Sequence, residues 1–368
     1  MLSKSLLYRA FTTHSQRAPS IVGLCNPLID ITMEVDSQNF LDKYQIRAGN
    51  AILADQPIHK QLISDVWGSY QSAQNSQGIT VLPGGSGLNT IRAANFMLKS
   101  KYPQKCKFIG SVGKDSQAES LEKILENEGV VSLMSKAEGS TGQCAAIVYE
   151  KERSLVADLG AALKFPTEHV ENVEQHIEEA TILYATAFFL TSNTQALFKL
   201  LNKKPKSTQF ALNLSATFLI DQYQKELHEL IPQCDYLFGN EDEFAHLAKV
   251  MDLMKVDTNN EKDYFELCWK LKDKLKYPGH IVVTRGSKSV IVSNKDPKSY
   301  TVPKLEGKLI KDTNGAGDSF VGGFLSKIAL GQNVESAVKG GMWCSRQVLQ
   351  QVGCNFPDEL PDPEGKLF

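Results

Sequence analysis

Short apolar runs alternate with longer amphipathic stretches through most of the chain, a pattern typical of parallel strands joined by crossover helices. Runs that end in polar residues or glycine predict strands at 21–25, 106–112, 181–187, 209–214, 236–238 and 281–284. Apolar residues at helical spacing predict helices near 88–100, 116–128, 194–203, 217–231, 241–250, 261–276, 315–330 and 333–350. The predicted fold class is therefore α/β, with a doubly wound and mostly parallel sheet.

Two segments break this alternation and predict a separate small sheet. Residues 28–60 are polar and mixed, without a clear α/β unit, whereas 141–162 holds two apolar runs separated by a charged triplet at 150–152. Two runs joined by a short turn are typical of a β-hairpin. We expect a main domain over 21–357 whose β-rich lid is formed by insertions near 28–83 and 138–162, followed by a C-terminal tail at 358–368.

The first twenty residues differ from the rest of the chain in charge. They contain no acidic residue and three basic ones, Lys4, Arg9 and Arg17. At helical spacing the apolar residues of this stretch fall in one arc, made of Leu2, Leu6, Leu7, Ala10 and Phe11. This composition is typical of a mitochondrial transit segment. The alternative is a disordered tail on a cytoplasmic protein.

The composition excludes several classes of protein. The chain has 368 residues, and 40 basic against 42 acidic residues give a net charge of −2, without the basic excess that nucleic acid binding requires. No apolar run approaches the length of a transmembrane helix, about 18 residues. Seven cysteines occur without a C-x-x-C pair, so zinc-binding spacing is absent and we expect reduced thiols.

The strongest chemical motif is a run of small residues at 312–324. It follows an extended segment and includes the start of a predicted helix, where unpaired backbone N–H groups attract anions. Gly315 and Gly317 would let a phosphate approach without interference from a Cβ atom. Asp318 then falls in the first helical turn, either as a functional carboxylate or only as a helix cap. Gly322 and Gly323 imply close packing of another element, which favours the functional interpretation.

A second glycine-rich turn at 83–90 also precedes a predicted helix. It fails as a dinucleotide fingerprint because Thr90 replaces the third glycine. A phosphate-binding Walker loop also fails, because Asp115 follows the Gly-Lys pair at 113–114. A bare backbone turn with the amide of Asn89 remains, which suits hydroxyl recognition. The alternative is an ordinary glycine turn.

Two further segments carry polar groups at predicted strand ends. Asn240 and Glu243 are three residues apart and share a face if a helix begins there. An amide and a carboxylate at that spacing can hold a hydrated Mg²⁺ ion, although a capping pair on an acidic helix is the alternative. Thr284 and Gly286 lie at the end of another strand, where open α/β sheets contact nucleotides.

Taken together, these residues resemble the ribokinase-like (PfkB-type) sugar and nucleoside kinases. The segment 312–324 is similar to the C-terminal signature of that family nearly letter for letter. Segments at 26–30, 141–146, 153–155, 188–190, 213–216 and 238–240 are similar, in the same order, to the members that phosphorylate adenosine. The resemblance covers about 21–357. It implies transfer of phosphate from ATP to the 5′-hydroxyl of adenosine, giving AMP and ADP, with Mg²⁺ as cofactor.

The resemblance also implies a role for each matching residue. Asp318 would be the general base, and the anion hole would be formed by Gly315, Ala316 and Gly317. ATP would contact Asn240, Thr284, Gly286 and Asn314, while Asn240 and Glu243 organise Mg²⁺ through water. The ribose hydroxyls would be bound by Asp30, Gly85 and Asn89, and Asn26 and Ser86 would also bind the substrate. The base would be enclosed by Leu28, Leu53, Cys144, Leu155, Leu159, Phe188 and Phe218, with Arg153 on the lid.

The sequence departs from the family pattern at two places. Ala51 stands where relatives often have glutamine, which concerns a purine contact, and Gly341-Met342 stands where they often have Gly-His near the ATP adenine. The alternatives are a kinase of a bare sugar, which the apolar lid set disfavours, a nucleoside-binding pseudokinase and an NAD-binding protein. We expect a monomer that binds adenosine and ATP, and neither nucleic acid nor a membrane.

Overall fold

A computed structural model describes residues 18–48, 51–72, 78–150, 152–294 and 296–357. The strands are β1 (Ile21–Leu24), β2 (Leu28–Glu34), β3 (Ala51–Leu53), β4 (Ile79–Gly84), β5 (Cys106–Ile109), β6 (Ser111–Val112), β7 (Val131–Ser132), β8 (Ser135–Lys136), β9 (Gly142–Tyr149), β10 (Glu152–Asp158), β11 (Ile182–Thr186), β12 (Gln209–Asn213), β13 (Tyr236–Asn240), β14 (His280–Thr284), β15 (Ser289–Ser293) and β16 (Pro297–Thr301). The helices are α1 (Gln38–Lys43), α2 (Pro57–Ser72), α3 (Ser86–Leu98), α4 (Ser116–Glu128), α5 (His169–Glu179), α6 (Leu190–Lys203), α7 (Thr217–Gln222), α8 (Gln224–Leu230), α9 (Glu241–Val250), α10 (Glu261–Leu275), α11 (Ala316–Ala329) and α12 (Val334–Val348).

Nine of the strands form one large sheet in the order β16-β15-β14-β13-β12-β11-β1-β5-β7. Pairing is parallel from β7 to β14, and only β15 and β16 at one edge run antiparallel to their neighbours. Successive residues of β1 enter different apolar clusters, with Ile21 in one and Val22 in the other. Because both faces of the sheet are buried under helices, the strands read as continuous apolar runs. The predicted doubly wound α/β class is confirmed.

A second sheet has five strands in the order β3-β10-β9-β2-β4. One face packs against α1 and α2, where Leu41, Leu62 and Val66 join Ile29 and Ile31 of β2 in a single buried cluster. The sheet is assembled from strands drawn from both segments that break the α/β alternation. The proposed boundaries of the main domain and the lid remain predictions. Residues 1–17 and 358–368 lie outside the described residues.

The structure corrects several sequence predictions. The run 106–112 is two strands in different sheets, separated at Gly110, where a Cβ would lie 2.8 Å from the Cys25 carbonyl oxygen. The predicted helix 217–231 breaks at Tyr223, whose φ of −120° is not helical. The pattern did not reveal the helices α1, α2 and α5 or the strands β4, β7, β8, β15 and β16. The hairpin strands β9 and β10 pair as expected, although Lys151 of the turn lies outside the described residues.

Helix α11 lies between α3 and α12, and glycines make this packing close. A Cβ atom built at Gly322 would lie 2.4 Å from the carbonyl oxygen of Thr90, and one built at Gly323 would lie 2.5 Å from that of Gly340. The close packing inferred from these glycines is therefore present. It fixes the first turn of α11, with Asp318, beside the first turn of α3. In the described part of the chain, no helix combines the length and apolar character needed to cross a membrane.

Candidate active site

A cavity of about 430 Å³ opens at the carboxyl ends of the central strands. Parallel α/β sheets bind ligands at this edge, where strand ends and helix N-termini converge. The cavity is lined by Ser86, Asn213, Ser215, Phe238, Gly239, Asn240, Glu243, Thr284, Asn314, Gly315, Gly317, Asp318 and Val321. It brings together the glycine turn before α3, the first turn of α11 and the acidic start of α9.

Asp318 is held by two side chains from α3. Ser86 Oγ donates a hydrogen bond to one carboxylate oxygen at 2.6 Å, and Asn89 Nδ2 donates to the other at 3.1 Å. Burial raises the pKa of Asp318 above its ordinary value, and these two hydrogen bonds oppose that rise. The carboxylate therefore faces the cavity in a fixed orientation, with its basicity increased by its surroundings.

The turn before α11 is shaped for an anion. Gly315 has a φ of 73° as the N-terminal cap, a conformation that favours glycine. The helix begins at Ala316, so its first backbone N–H groups have no intrahelical partner and lie at the positive end of the helix dipole. Asp312 stabilises the turn because its carboxylate accepts from the backbone N–H of Asn314 at 2.9 Å.

Asn240 and Glu243 form a reciprocal capping box at the start of α9. The Asn240 side chain accepts from the Glu243 N–H at 2.8 Å, and the Glu243 carboxylate accepts from the Asn240 N–H at 3.0 Å and from its Nδ2 at 2.9 Å. Glu243 is only 6% exposed, and burial raises its pKa to about 7. The capping alternative is thus realised, and both residues still line the cavity.

The donor set fits Mg²⁺ only as an ion that keeps its water shell. Among the described residues, no three His, Cys, Asp or Glu side chains converge to hold a metal directly. Mg²⁺ commonly keeps several waters and combines one or two carboxylates with substrate phosphates. Each Glu243 oxygen accepts one hydrogen bond from Asn240, and the Ser215 backbone also donates to this carboxylate. A carboxylate has about four acceptor sites, so capacity for a metal-bound water remains.

Of the two residues predicted at the end of β14, only Thr284 reaches the cavity. Gly286 is exposed, has a φ of 56° and does not line it. The intervening Arg285 is buried and lies over the ring of Tyr264 at 5.1 Å, with Glu241 3.5 Å from its Nε. Arg285 therefore holds the turn without lining the cavity itself.

Six of the lid residues assigned to the substrate share one face of the small sheet. Alternation along each strand and the observed register place Leu28, Asp30, Leu53, Cys144, Arg153 and Leu155 on the same side. Leu159 follows the end of β10 and belongs to no strand. Asp30 pairs with Cys144 on the neighbouring strand, and a Cβ at Gly84 would meet the Asp30 carboxylate. The opposite face packs under α1 and α2. This face of the lid thus combines apolar side chains with a small polar group made of Asp30, Thr32 and Arg153.

Burial raises the pKa of Asp30 to about 6. Arg153 opposes this rise, whereas the negative charge of Asp318 adds to it. The guanidinium of Arg153 is engaged, since it pairs with Asp312 and donates to Thr32 Oγ1 at 3.0 Å. Arg153 therefore connects the lid with the turn before α11.

The remaining predicted residues lie on the main domain. The rings of Phe188 and Phe218 are 6.2 Å apart, and Phe218 is 47% exposed, like Leu53 of the lid at 42%. Asn26 is buried and donates to Thr191 Oγ1 at 2.9 Å and to the Phe188 carbonyl at 3.3 Å, so its amide positions that ring. A Cβ at Gly85 would lie 2.3 Å from the Asn26 carbonyl oxygen.

Sequence reasoning gave no role to several residues that line the cavity. Asn213 is the last residue of β12 and Ser215 follows it, with a φ of 66°, which is unusual for a residue other than glycine. Val321 lies one turn after Asp318. Their position at a strand end was the available signal, but which strand ends meet depends on the sheet order. The sequence departs from the family pattern at Ala51 and Met342. Ala51 pairs with Leu155 in the small sheet, and Met342 is buried on α12.

Comparison with known proteins gives a consistent result. A model of the pfkB family carbohydrate kinases matches residues 58–361. Adenosine kinase 1 of Arabidopsis thaliana is 33% identical over 347 residues, covering 93% of this chain and 97% of that protein. Adenosine kinase of Saccharomyces cerevisiae is 31% identical over 345 residues, covering 93% and 98%.

Solved structures agree with this comparison. That of Anopheles gambiae adenosine kinase in complex with P1,P4-di(adenosine-5) tetraphosphate superposes with a TM-score of 0.81 at 32% identity, covering 93% of this chain and 98% of that one. Apo Trypanosoma brucei brucei adenosine kinase gives 0.81 at 31% identity, covering 91% and 100%.

These relatives, together with a carboxylate in the first turn of a glycine-capped helix at the strand ends of a doubly wound sheet, identify an ATP-dependent phosphotransferase that acts on a hydroxyl group. The chain belongs to the pfkB family of carbohydrate kinases. The resemblance inferred from the motifs is thereby confirmed.

Proposed function

We propose that this enzyme transfers the γ-phosphoryl group of ATP to the 5′-hydroxyl of adenosine, producing AMP and ADP for purine salvage. The observation that carries the proposal is the placement of Asp318 between the anion-binding turn of α11 and the two α3 donors Ser86 and Asn89. The similar proteins of plant, yeast and mosquito origin are named adenosine kinases.

The chain's own residues supply positioning and charge stabilisation. The Asp318 carboxylate accepts the proton of the attacking hydroxyl as the new bond to phosphorus forms. The backbone N–H groups at Gly315–Gly317 stabilise negative charge on the transferred phosphoryl group. Mg²⁺ would neutralise the ATP phosphates, and Asn240 and Glu243 would orient its bound waters.

The shared face of the lid suits a nucleoside better than a bare sugar. Its leucines and Cys144, together with Phe188 and Phe218, provide apolar contact for a purine, while Asp30 can accept hydrogen bonds from ribose hydroxyls. The exposure of Leu53 and Phe218 is consistent with walls that a base covers on binding. Closing the lid would exclude the water that competes with the hydroxyl for ATP.

A coupled assay of ADP release tests this assignment directly. Adenosine, inosine, guanosine and ribose are compared as acceptors, with ATP and Mg²⁺ supplied and EDTA as the metal control. We expect turnover with adenosine to exceed that with the other acceptors, and chelation to abolish it. Faster turnover with ribose would identify a sugar kinase, and adenosine binding without ADP release would identify a pseudokinase.

We also propose that residues 1–20 act as a mitochondrial transit segment. The rest of the chain would be a monomeric enzyme of a family whose members are expected in the cytoplasm. Support comes from composition alone, because the segment is basic and acid-free. A fluorescent reporter fused to residues 1–30 should enter mitochondria, driven by a potential that is negative inside. The same fusion with Lys4, Arg9 and Arg17 changed to glutamine should stay in the cytosol. A cytosolic unmodified fusion would refute the proposal.

A further inference from the structure

The chain that follows the last helix packs directly behind the anion-binding turn. This segment, residues 353–356, is called the C-terminal brace here. A Cβ atom built at Gly315 would lie 2.5 Å from Cys354 Sγ and 2.6 Å from Cys354 Cβ, so the two residues are in close contact. Cys354 is fully buried, and its thiol lies 3.8 Å from Ser319 Oγ of the first turn of α11.

The brace also binds the loop that leads into the turn. The backbone N–H of Gly353 donates to Asp312 Oδ2 at 2.9 Å, while the other oxygen of that carboxylate accepts from Asn314. One carboxylate thus joins the brace to the anion-binding turn. Gly353 has a φ of 66°, and a Cβ there would lie 2.6 Å from Leu82 Cδ1 on β4, so this residue must be small.

A buried arginine from α3 holds the brace in place. Arg92 is 2% exposed and pairs through two nitrogens with both carboxylate oxygens of Glu128, at 2.8 Å and 2.6 Å. Its remaining nitrogen, Nη1, donates to the Cys354 carbonyl at 2.7 Å and lies 3.4 Å from the Pro83 carbonyl. The ring of Phe356 lies under the guanidinium at 5.7 Å and stacks on Phe96.

Burying an arginine this deeply is costly unless every donor direction is used. The guanidinium of Arg92 donates to Glu128 at the end of α4 on one side and to two backbone carbonyls on the other. Those carbonyls belong to the glycine turn before Ser86 and to the segment behind Gly315. The arginine therefore fixes the distance between the two loops that meet at Asp318.

We propose that the C-terminal brace is a built part of the phosphoryl-transfer site, in which Cys354 and Arg92 act as positioning residues for the anion-binding turn. The proposal rests on the anion-stabilising role of that turn in the proposed function. Neither residue lines the cavity, and neither thiol chemistry nor direct substrate contact is involved. Cys354 supports Gly315 by packing, and Arg92 supports Cys354 through its carbonyl.

The test compares substitutions of equally buried cysteines. Cys354→Ala removes the sulfur that packs on Gly315, whereas Cys268→Ala removes an equivalent buried sulfur from α10, which does not line the cavity. We expect Cys354→Ala to lower kcat about tenfold with the KM for adenosine changed less than about twofold, because misplacing a charge-stabilising turn affects the transition state. Cys268→Ala should alter thermal stability only, and Cys354→Ser should restore most of kcat.

Hydrogen exchange separates this proposal from the proposed function. In the absence of substrates, amides of residues 312–318 should exchange faster in Cys354→Ala and in Arg92→Lys than in the wild type or in Cys268→Ala. Unchanged exchange in both folded variants would overturn the inference whatever the activity. Equal kcat in Cys354→Ala and the wild type would also overturn it. If the two variants exchange faster but the wild-type protein does not phosphorylate adenosine, the proposed function alone would be overturned.

Discussion

At the scale of single residues, Asp318, the proposed general base, is held in one orientation by its neighbours. Its two oxygens accept from Ser86 and Asn89, and burial raises its pKa. A substrate hydroxyl would replace one of these donors and meet a carboxylate that is already oriented. The residue therefore combines fixed geometry with increased basicity.

Replacing Asp318 with asparagine should remove the base while keeping its shape. We expect kcat to fall by roughly 10²–10⁴, which is the usual contribution of general-base catalysis, with adenosine binding largely retained. Steady-state kinetics and equilibrium titration with adenosine measure the two effects separately. A variant that keeps more than about half of its turnover would show that another group takes the proton.

Asp30→Asn should separate stability from substrate binding. A pKa raised from 3.8 to about 6 means that the folded protein favours the neutral acid, so stability from this group is full below about pH 4 and is lost as pH rises through 6. The asparagine variant lacks this loss. Between roughly pH 4 and 7, its free energy of unfolding should rise relative to that of the wild type by up to about 3 kcal/mol. The variant should nevertheless bind adenosine more weakly.

Denaturant unfolding at several pH values measures this effect. Parallel stability–pH curves for the wild type and Asp30→Asn would contradict the assigned protonation. Unchanged adenosine affinity would instead contradict the role of Asp30 in ribose binding, so the two parts of the prediction can fail independently.

At the scale of elements, the position of the site depends on how closely three helices approach. Helix α11 contacts α3 and α12 through glycines, and this contact places Asp318 beside Ser86 and Asn89. The glycines are therefore structural requirements of the catalytic geometry, although they touch no ligand.

Gly322→Ala and Gly68→Ala should change stability in opposite directions. Gly322 has no room for a methyl group, because its Cβ would lie 2.4 Å from a backbone oxygen, and overpacking of this kind costs about 1–3 kcal/mol. Gly68 lies inside α2 with open space around it, so alanine there should stabilise by about 0.5–1 kcal/mol. Thermal unfolding compares the two. A neutral Gly322→Ala would mean that α3 and α11 can separate without cost.

At the scale of the whole molecule, the two sheets carry different parts of the proposed site. The large sheet and its helices hold Asp318, the anion-binding turn and the start of α9, whereas the small sheet carries the face assigned to adenosine. Arg153 and Asp312 connect the two parts. Substrate binding should therefore change the lid more than the main sheet.

Adenosine should increase the hydrogen-exchange protection of the hairpin 142–158. Strand β10 of the hairpin pairs with β9 on one side, and on the other side its partner β3 has only three residues. The hairpin therefore gains contacts when a base lies against its apolar face. The central strands β11 and β12 serve as the internal control, because they are already buried. Equal protection of the hairpin with and without adenosine would count against a closing lid.

The sequence by itself determined the fold class and singled out Asp318 and its turn as the candidate site. Alternation of apolar runs and amphipathic stretches is a local property, and the anion-binding turn with its carboxylate is one continuous segment. The capping pair at α9 is local as well, since its members are three residues apart. Such features are visible without knowing which strands are neighbours.

Only the tertiary structure decided which distant groups meet. The engagement of Arg153 with Asp312, of Asn26 with Thr191 and of Cys354 with Gly315 joins parts of the chain that are far apart in sequence. The division of the run 106–112 between two sheets is likewise a matter of which strands become neighbours. Sheet order and helix packing set these contacts, and neither is encoded in the periodicity of any single segment.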